Sequence, residues 1–281
     1  MIYSLIVSLN SYAGLFGDDS RVEARTHAPE EWREIAKSVV ALIPLKAMTK
    51  VQGGYQLGGF SLQQMGMCSD IAFGEQRIVA NCSGSLISDD QILTAGHCID
   101  EINHKCENYA YVFDYASGLN EDPYFVSDEQ VFFCRALLYH EFDLGFTEDL
   151  AVVELDRVVT DRNPVILNPR TLSPGEKLTM IGHPLGLLQK FVDDGIVLSV
   201  EEERLSFKHN LDTFSVNSGG PIFHQETFEQ VGVLVRGTSP NMSLREGMTC
   251  YDWGKAEVGD YAEGNLLISL PDLPGFPNER P

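Results

Sequence analysis

Three short stretches of this chain carry side chains that could cooperate in nucleophilic catalysis. The first, Leu211-Asp212-Thr213-Phe214-Ser215-Val216-Asn217-Ser218-Gly219-Gly220-Pro221, sets Ser218 in a glycine-flanked turn between apolar runs. A serine hydroxyl attacks poorly until a base takes its proton and backbone amides stabilise the oxyanion that follows. A base stands in Ile92-Leu93-Thr94-Ala95-Gly96-His97-Cys98, a strand pattern that runs into a tight turn at His97. An acid stands in Glu148-Asp149-Leu150-Ala151-Val152-Val153-Glu154-Leu155, where Asp149 opens a strongly apolar strand. A carboxylate there is costly to bury unless it is hydrogen-bonded, as one that holds an imidazole is. Alone, the serine turn has only a good β-turn composition, and the chain has seven histidines. The meaning lies in the combination, in the chain order His97, Asp149, Ser218.

Such residues must be held by a scaffold, and the chain around them reads as strands. Short apolar runs rich in β-branched and aromatic residues recur from Ser38 onward: Val39-Val40-Ala41-Leu42-Ile43, Tyr109-Ala110-Tyr111-Val112-Phe113, Leu178-Thr179-Met180-Ile181 and Gly195-Ile196-Val197-Leu198-Ser199-Val200 among them. The polar, proline-containing break around Asp161-Arg162-Asn163-Pro164 divides them into two β-lobes, 38–163 and 164–270. Ahead of these, 14–37 is an acidic extension with a short amphipathic helix over Pro29–Lys37, whose Trp32, Ile35 and Ala36 fall at helical spacing. It is expected to pack on the outside of the body. The tail, 271–281, is proline-rich and reads as irregular.

With 43% hydrophobic residues the chain can bury a sizeable core, and its net charge of −21 argues against nucleic acid or an anionic membrane as the principal partner. Residues 1–13 hold a short apolar run and the small-x-small pattern Ser11-Tyr12-Ala13, which reads as a signal peptide. The run is too short to span a bilayer. Six cysteines, an even number, agree with an oxidising compartment. No Cys-x-x-Cys occurs and the histidines are scattered, so neither a metal nor a cofactor is expected. His183 is read as a turn support, His209 and His224 as structural or exposed although close enough to the serine strands to touch the pocket, and Trp32 and Trp253 as packing residues.

Together, Thr-Ala-Gly-His-Cys around His97, Asp-Leu-Ala-Val-Val-Glu-Leu from Asp149 and Asn-Ser-Gly-Gly-Pro around Ser218 resemble the three motifs of the chymotrypsin-like serine proteases. The roles of base, orienting acid and nucleophile come from that family's template. Asp212-Thr213-Phe214, Asn217 and Ile181-Gly182-His183-Pro184 are similar to the bacterial V8-like, glutamyl-endopeptidase-like branch. The likeness spans roughly Ser38 to Ser269. It implies an all-β fold of two six-stranded antiparallel barrels and a secreted or periplasmic bacterial endopeptidase, monomeric, that acts on proteins or peptides. It also implies a disulfide between Cys82 and Cys98. The other four cysteines allow three pairings, of which Cys106 with Cys134 is preferred because both flank strands of one lobe, leaving Cys68 with Cys250.

The resemblance also sets the finer expectations. The amides of Val216 and Ser218 would form the oxyanion hole, yet the family usually has glycine where this chain has Val216, and a β-branched residue resists positive φ. Losing one such donor costs about 10²- to 10³-fold in kcat. The alternative reading is therefore a catalytically impaired homologue that serves as a binding module. Asn217 cannot make the ion pair with a new amino terminus that an aspartate makes in the animal-type enzymes. Leu234, Val235, Arg236 and Gly237 would line the primary pocket and pair with substrate, with Leu234 where glutamyl-specific relatives carry histidine. Asp212 is a pocket carboxylate or a turn cap, and Arg236 a receptor for an acidic side chain or a salt-bridge partner.

Overall fold

Val39-Val40-Ala41-Leu42-Ile43 has no polar side chain, and every residue of its strand, Val39–Pro44, is buried. A strand with no wet face must be covered on both sides: Val40 and Leu42 face the barrel interior, and Ala41 and Ile43 pack under Leu57, Val79, Tyr115, Val126 and Leu188. The computed structural model describes residues 14–99, 105–142, 147–238 and 242–270. The expected signal peptide (1–13) and tail (271–281) lie outside the described residues. Among the described residues, no helix is long and apolar enough to cross a membrane.

In chain order, β1 is Val22–Glu23, α1 Glu30–Ala36, β2 Val39–Pro44, β3 Cys82–Ser88, β4 Gln91–Thr94, β5 Tyr109–Val112, β6 Val131–Phe142 and β7 Asp149–Leu155. They are followed by β8 Lys177–Gly182, β9 Lys190–Glu201, β10 Ser206–His209, β11 Pro221–His224, β12 Gln230–Gly237, β13 Met242–Leu244, β14 Tyr251–Trp253 and β15 Ala262–Leu266. Strands β6-β7-β4-β3-β2-β5 close into one six-stranded antiparallel barrel. Strands β9-β8-β11-β12-β15-β10 close into a second through the β9–β10 pairing, and β1 adds to β9. Closure leaves neither barrel an unpaired edge. The expected all-β, two-barrel architecture is thus the one observed.

Each barrel has its own apolar interior. Leu42, Leu86, Ile92, Tyr111, Phe132 and Val153, which share one face of the sheet, fill the first, and Leu178, Phe207, Ile222, Val231 and Leu266 fill the second. The lobes are tied by a Ser83 N–H to Ser218 C=O bond of 2.8 Å, by Ser85 Oγ donating to Gln230 Oε1 at 2.8 Å, and by the Cys68–Cys250 disulfide.

The amphipathic helix α1 lies against the second barrel by its apolar face: Trp32 and Ala36 are buried, with the Trp32 ring 5.7 Å from that of Phe191 and 5.6 Å from that of Phe223. Residues 22 and 23 extend the second sheet, pairing with Phe191 and Lys190. Acidic groups of the extension have partners: Asp19 pairs with Arg21, and Glu23 with the buried Lys190 at 3.1 Å.

Candidate active site

Strand register brings His97 and Asp149 together. Ala151 pairs with Thr94, so Asp149, two residues earlier on the antiparallel strand, falls level with Gly96 at the head of the histidine turn. Gly96 permits this approach, since a Cβ there would lie 2.1 Å from Glu141 C=O and 3.1 Å from Asp149 Oδ1. Asp149 accepts two bonds from one residue: from the His97 backbone N–H at 2.8 Å on Oδ1, and from His97 Nδ1 at 2.7 Å on Oδ2. The Asp149 side chain is 4% exposed and that of His97 27%. A carboxylate that accepts at Nδ1 fixes the tautomer and leaves Nε2 as the basic nitrogen. Sequence reasoning missed His140, whose Nε2–H donates to Gly96 C=O at 3.0 Å and pins the turn from behind.

The Ser218 turn packs against the His97 turn. Ser218 C=O accepts from Ser83 N–H, and Cys98 Sγ, one residue past the histidine, lies 3.6 Å from that oxygen. Gly219 has φ +82°, and a Cβ on it would sit 2.1 Å from Thr94 Oγ1 and 3.0 Å from the Ala95 nitrogen, so only glycine fits there. Three backbone bonds shape the turn: Asn217 N–H to Phe214 C=O, Gly219 N–H to Leu234 C=O and Gly220 N–H to Asn217 C=O. Among the described residues the Ser218 hydroxyl has no hydrogen-bond partner. Catalytic contacts of this kind are often long in a free enzyme and tighten on substrate binding.

Val216 does take the positive φ that the sequence made doubtful, at +70°. Its peptide is oriented from the far side: Leu185 N–H donates to Ser215 C=O at 2.9 Å. In a trans peptide the C=O and N–H point opposite ways, so the Val216 N–H faces away from Leu185. Neither the Val216 nor the Ser218 amide finds an acceptor among the described residues. Two neighbouring unpaired donors beside a serine are unusual in a packed interior. They have the composition of an oxyanion receptor.

A family model described as "Trypsin-like peptidase domain" matches residues 82–233, just over half of the chain. The chain belongs to the trypsin-like peptidase family. The match runs from Cys82 through His97, Asp149 and Ser218 into β12. A solved structure of a Glu endopeptidase in complex with MPD is similar to this peptidase with a TM-score of 0.49 and 16% identity, covering 91% of this chain and 94% of that one. No curated protein sequence matches the peptidase.

The specificity expectations are placed differently from the catalytic ones. Asp212 is buried, and its oxygens accept from Phe16 N–H (2.7 Å), Ser20 N–H (2.9 Å) and Ser20 Oγ (2.8 Å), all in the N-terminal extension. Its carboxylate is therefore engaged within the protein. Burial pushes the Asp212 carboxyl above its ordinary pKa, against the pull of those donors. The Leu234 and Val235 side chains are buried too, Leu234 in the second barrel's interior and Val235 with the first barrel's cluster. Arg236 forms a two-pronged pair with Glu263, Nε to Oε2 at 2.8 Å and Nη2 to Oε1 at 2.7 Å. Burial pushes the Glu263 carboxyl up, but Arg236 more than offsets this and holds it below its usual range. Gly237 pairs with Ala262 on β15.

The cysteines pair as Cys82–Cys98, Cys106–Cys134 and Cys68–Cys250. His97 lies near Cys82 and Cys98, but that disulfide leaves no thiolate to bind a metal. His183 stacks on Tyr115 at 5.5 Å with its Nδ1–H on Leu187 C=O, and burial pushes its pKa down to about 3. His209 is likewise pushed down to about 3 by burial. Asn217 is satisfied internally, its Oδ1 accepting from Ser83 Oγ at 3.3 Å.

Proposed function

We propose that the protein is a secreted serine endopeptidase that works through Ser218, His97 and Asp149 by way of an acyl-enzyme. His97 Nε2 takes the Ser218 proton as the hydroxyl attacks a substrate carbonyl, and Asp149 stabilises the imidazolium through its Nδ1–H bond. The Val216 and Ser218 amides stabilise the oxyanion. His97 then returns the proton to the leaving amine, and water, activated by the same nitrogen, hydrolyses the ester. The Val235–Gly237 stretch would pair with the substrate backbone, and specificity for one side chain would come from groups other than the Asp212 carboxylate.

The observation that carries this reading is the unpaired Val216 amide, held at positive φ and oriented by Leu185, beside a serine turn packed on a carboxylate-held histidine. Three disulfides with no free cysteine, together with the family, support action outside the reducing cytoplasm. The test is cleavage of a diverse peptide library by the purified chain, with Ser218→Ala as control. Cleavage at defined bonds that vanishes in the variant is expected. Cleavage that persists in the variant, or none at all by the folded wild type, would refute the proposal.

A further inference from the structure

We infer that Leu15–Glu23 is a built-in strap that positions the nucleophile turn, with Asp212 as its receptor. This rests on the peptidase reading above and adds a positioning element that lies outside the three catalytic motifs. Asp212 stands six residues before Ser218. Among the described residues, the three hydrogen bonds to its carboxylate come from the strap: Phe16 N–H on Oδ1, and Ser20 N–H and Ser20 Oγ on Oδ2. A carboxylate buried this deeply is tolerated only while such donors stay in place.

The strap is tied at several further points. Leu15 N–H donates to Gly254 C=O at 2.9 Å, and Ala256 N–H to Leu15 C=O at 2.8 Å, laying the strap beside the segment that follows β14. Arg21 is buried and held flat by Asp19, with Nε to Oδ1 at 2.8 Å and Nη2 to Oδ2 at 2.7 Å. Its guanidinium lies 4.3 Å from the Phe214 ring centroid and 4.0 Å from that of Trp253. Val22 and Glu23 then join the sheet through β9.

The strap thus grips the chain at Asp212 and Phe214, and the residues that follow are the strained ones. A valine at φ +70° persists only when its surroundings over-determine it. Leu185 N–H holds the turn at Ser215 C=O, and Leu234 at Gly219 and Gly220. The strap closes the remaining approach, ahead of Ser215. Cleavage after Ala13, at the expected signal site, leaves every one of these contacts intact.

The test compares the mature chain with Asp212→Asn, whose amide nitrogen cannot accept from Ser20, and with the milder Ser20→Ala. Three readouts are taken: the rate of fluorophosphonate labelling, hydrogen exchange of the 214–220 amides, and the thermal midpoint. Asp212→Asn should slow labelling about 10- to 100-fold and deprotect the Asn217, Gly219 and Gly220 amides, with the protein still folded at the assay temperature. Ser20→Ala should do the same to a lesser degree, and it carries the test should Asp212→Asn fail to fold. Exchange that rises in 15–22 while 214–220 and the labelling rate stay unchanged would overturn the inference. A wild type that never labels, but whose turn loosens in Asp212→Asn, would support the strap and sink the peptidase reading instead.

Discussion

Val216→Gly separates a working oxyanion hole from a collapsed one. Val216 sits at φ +70°, where a β-branched residue costs about 1–2 kcal/mol relative to glycine. Glycine relieves that strain but adds roughly 0.5–1 kcal/mol of chain entropy to the unfolded state. It also gives up the packing of a half-buried valine, about 1 kcal/mol against 1.5–3 for full burial. These contributions cancel to within about 1 kcal/mol, so guanidinium unfolding should show little change in stability. The strain is present in both free enzyme and transition state, and the Leu185 bond that orients the peptide does not depend on the side chain. The expectation is therefore a kcat within about threefold of wild type on the best library peptide. A gain of about 10²- to 10³-fold, the worth of one oxyanion donor, would show that valine keeps the native amide out of place. That result would refute the reasoning and favour the impaired-homologue alternative.

Further perturbations test other parts of the account. Asp149→Asn should lower kcat with little change in stability at neutral pH; the established value for this exchange in the Ser-His-Asp template, about 10⁴-fold, is the expectation here. His183 and His209 are pushed down to about 3 in the folded protein, so the unfolded chain binds the extra protons as pH falls below about 6.5. Stability is then fully present well above that pH, and its loss approaches about 1.4 kcal/mol per unit for each histidine, about 3 kcal/mol for the pair between pH 6.5 and 5. Denaturant titrations at several pH values read this directly, and His209→Gln should roughly halve the slope. Replacing Cys68 and Cys250 with serine opens a crosslink between residues 182 apart and should cost about 2–5 kcal/mol in denaturant unfolding, with activity retained by the fraction that stays folded.

The strands were legible because apolar runs such as Leu150–Val153 can only be interior, and the three motifs stood out because each couples a reactive side chain to a turn or a strand mouth. The role of Leu15–Glu23 was not legible. Nothing local reveals that Glu23 meets a lysine 167 residues away or that Ser20 meets Asp212. The Arg236–Glu263 pair was hidden in the same way, by a register between strands that neither residue encodes alone. At Val216 local propensity pointed away from positive φ, and tertiary contacts from Leu185 and Leu234 overrode it.

Labelling by a fluorophosphonate reports whether Ser218 is an activated nucleophile. The folded wild type should be labelled at Ser218 alone among the chain's serines, as read by peptide mass spectrometry, and labelling should disappear in Ser218→Ala and fall steeply in His97→Ala. A folded wild type of normal stability that takes up no label at Ser218 would contradict the account.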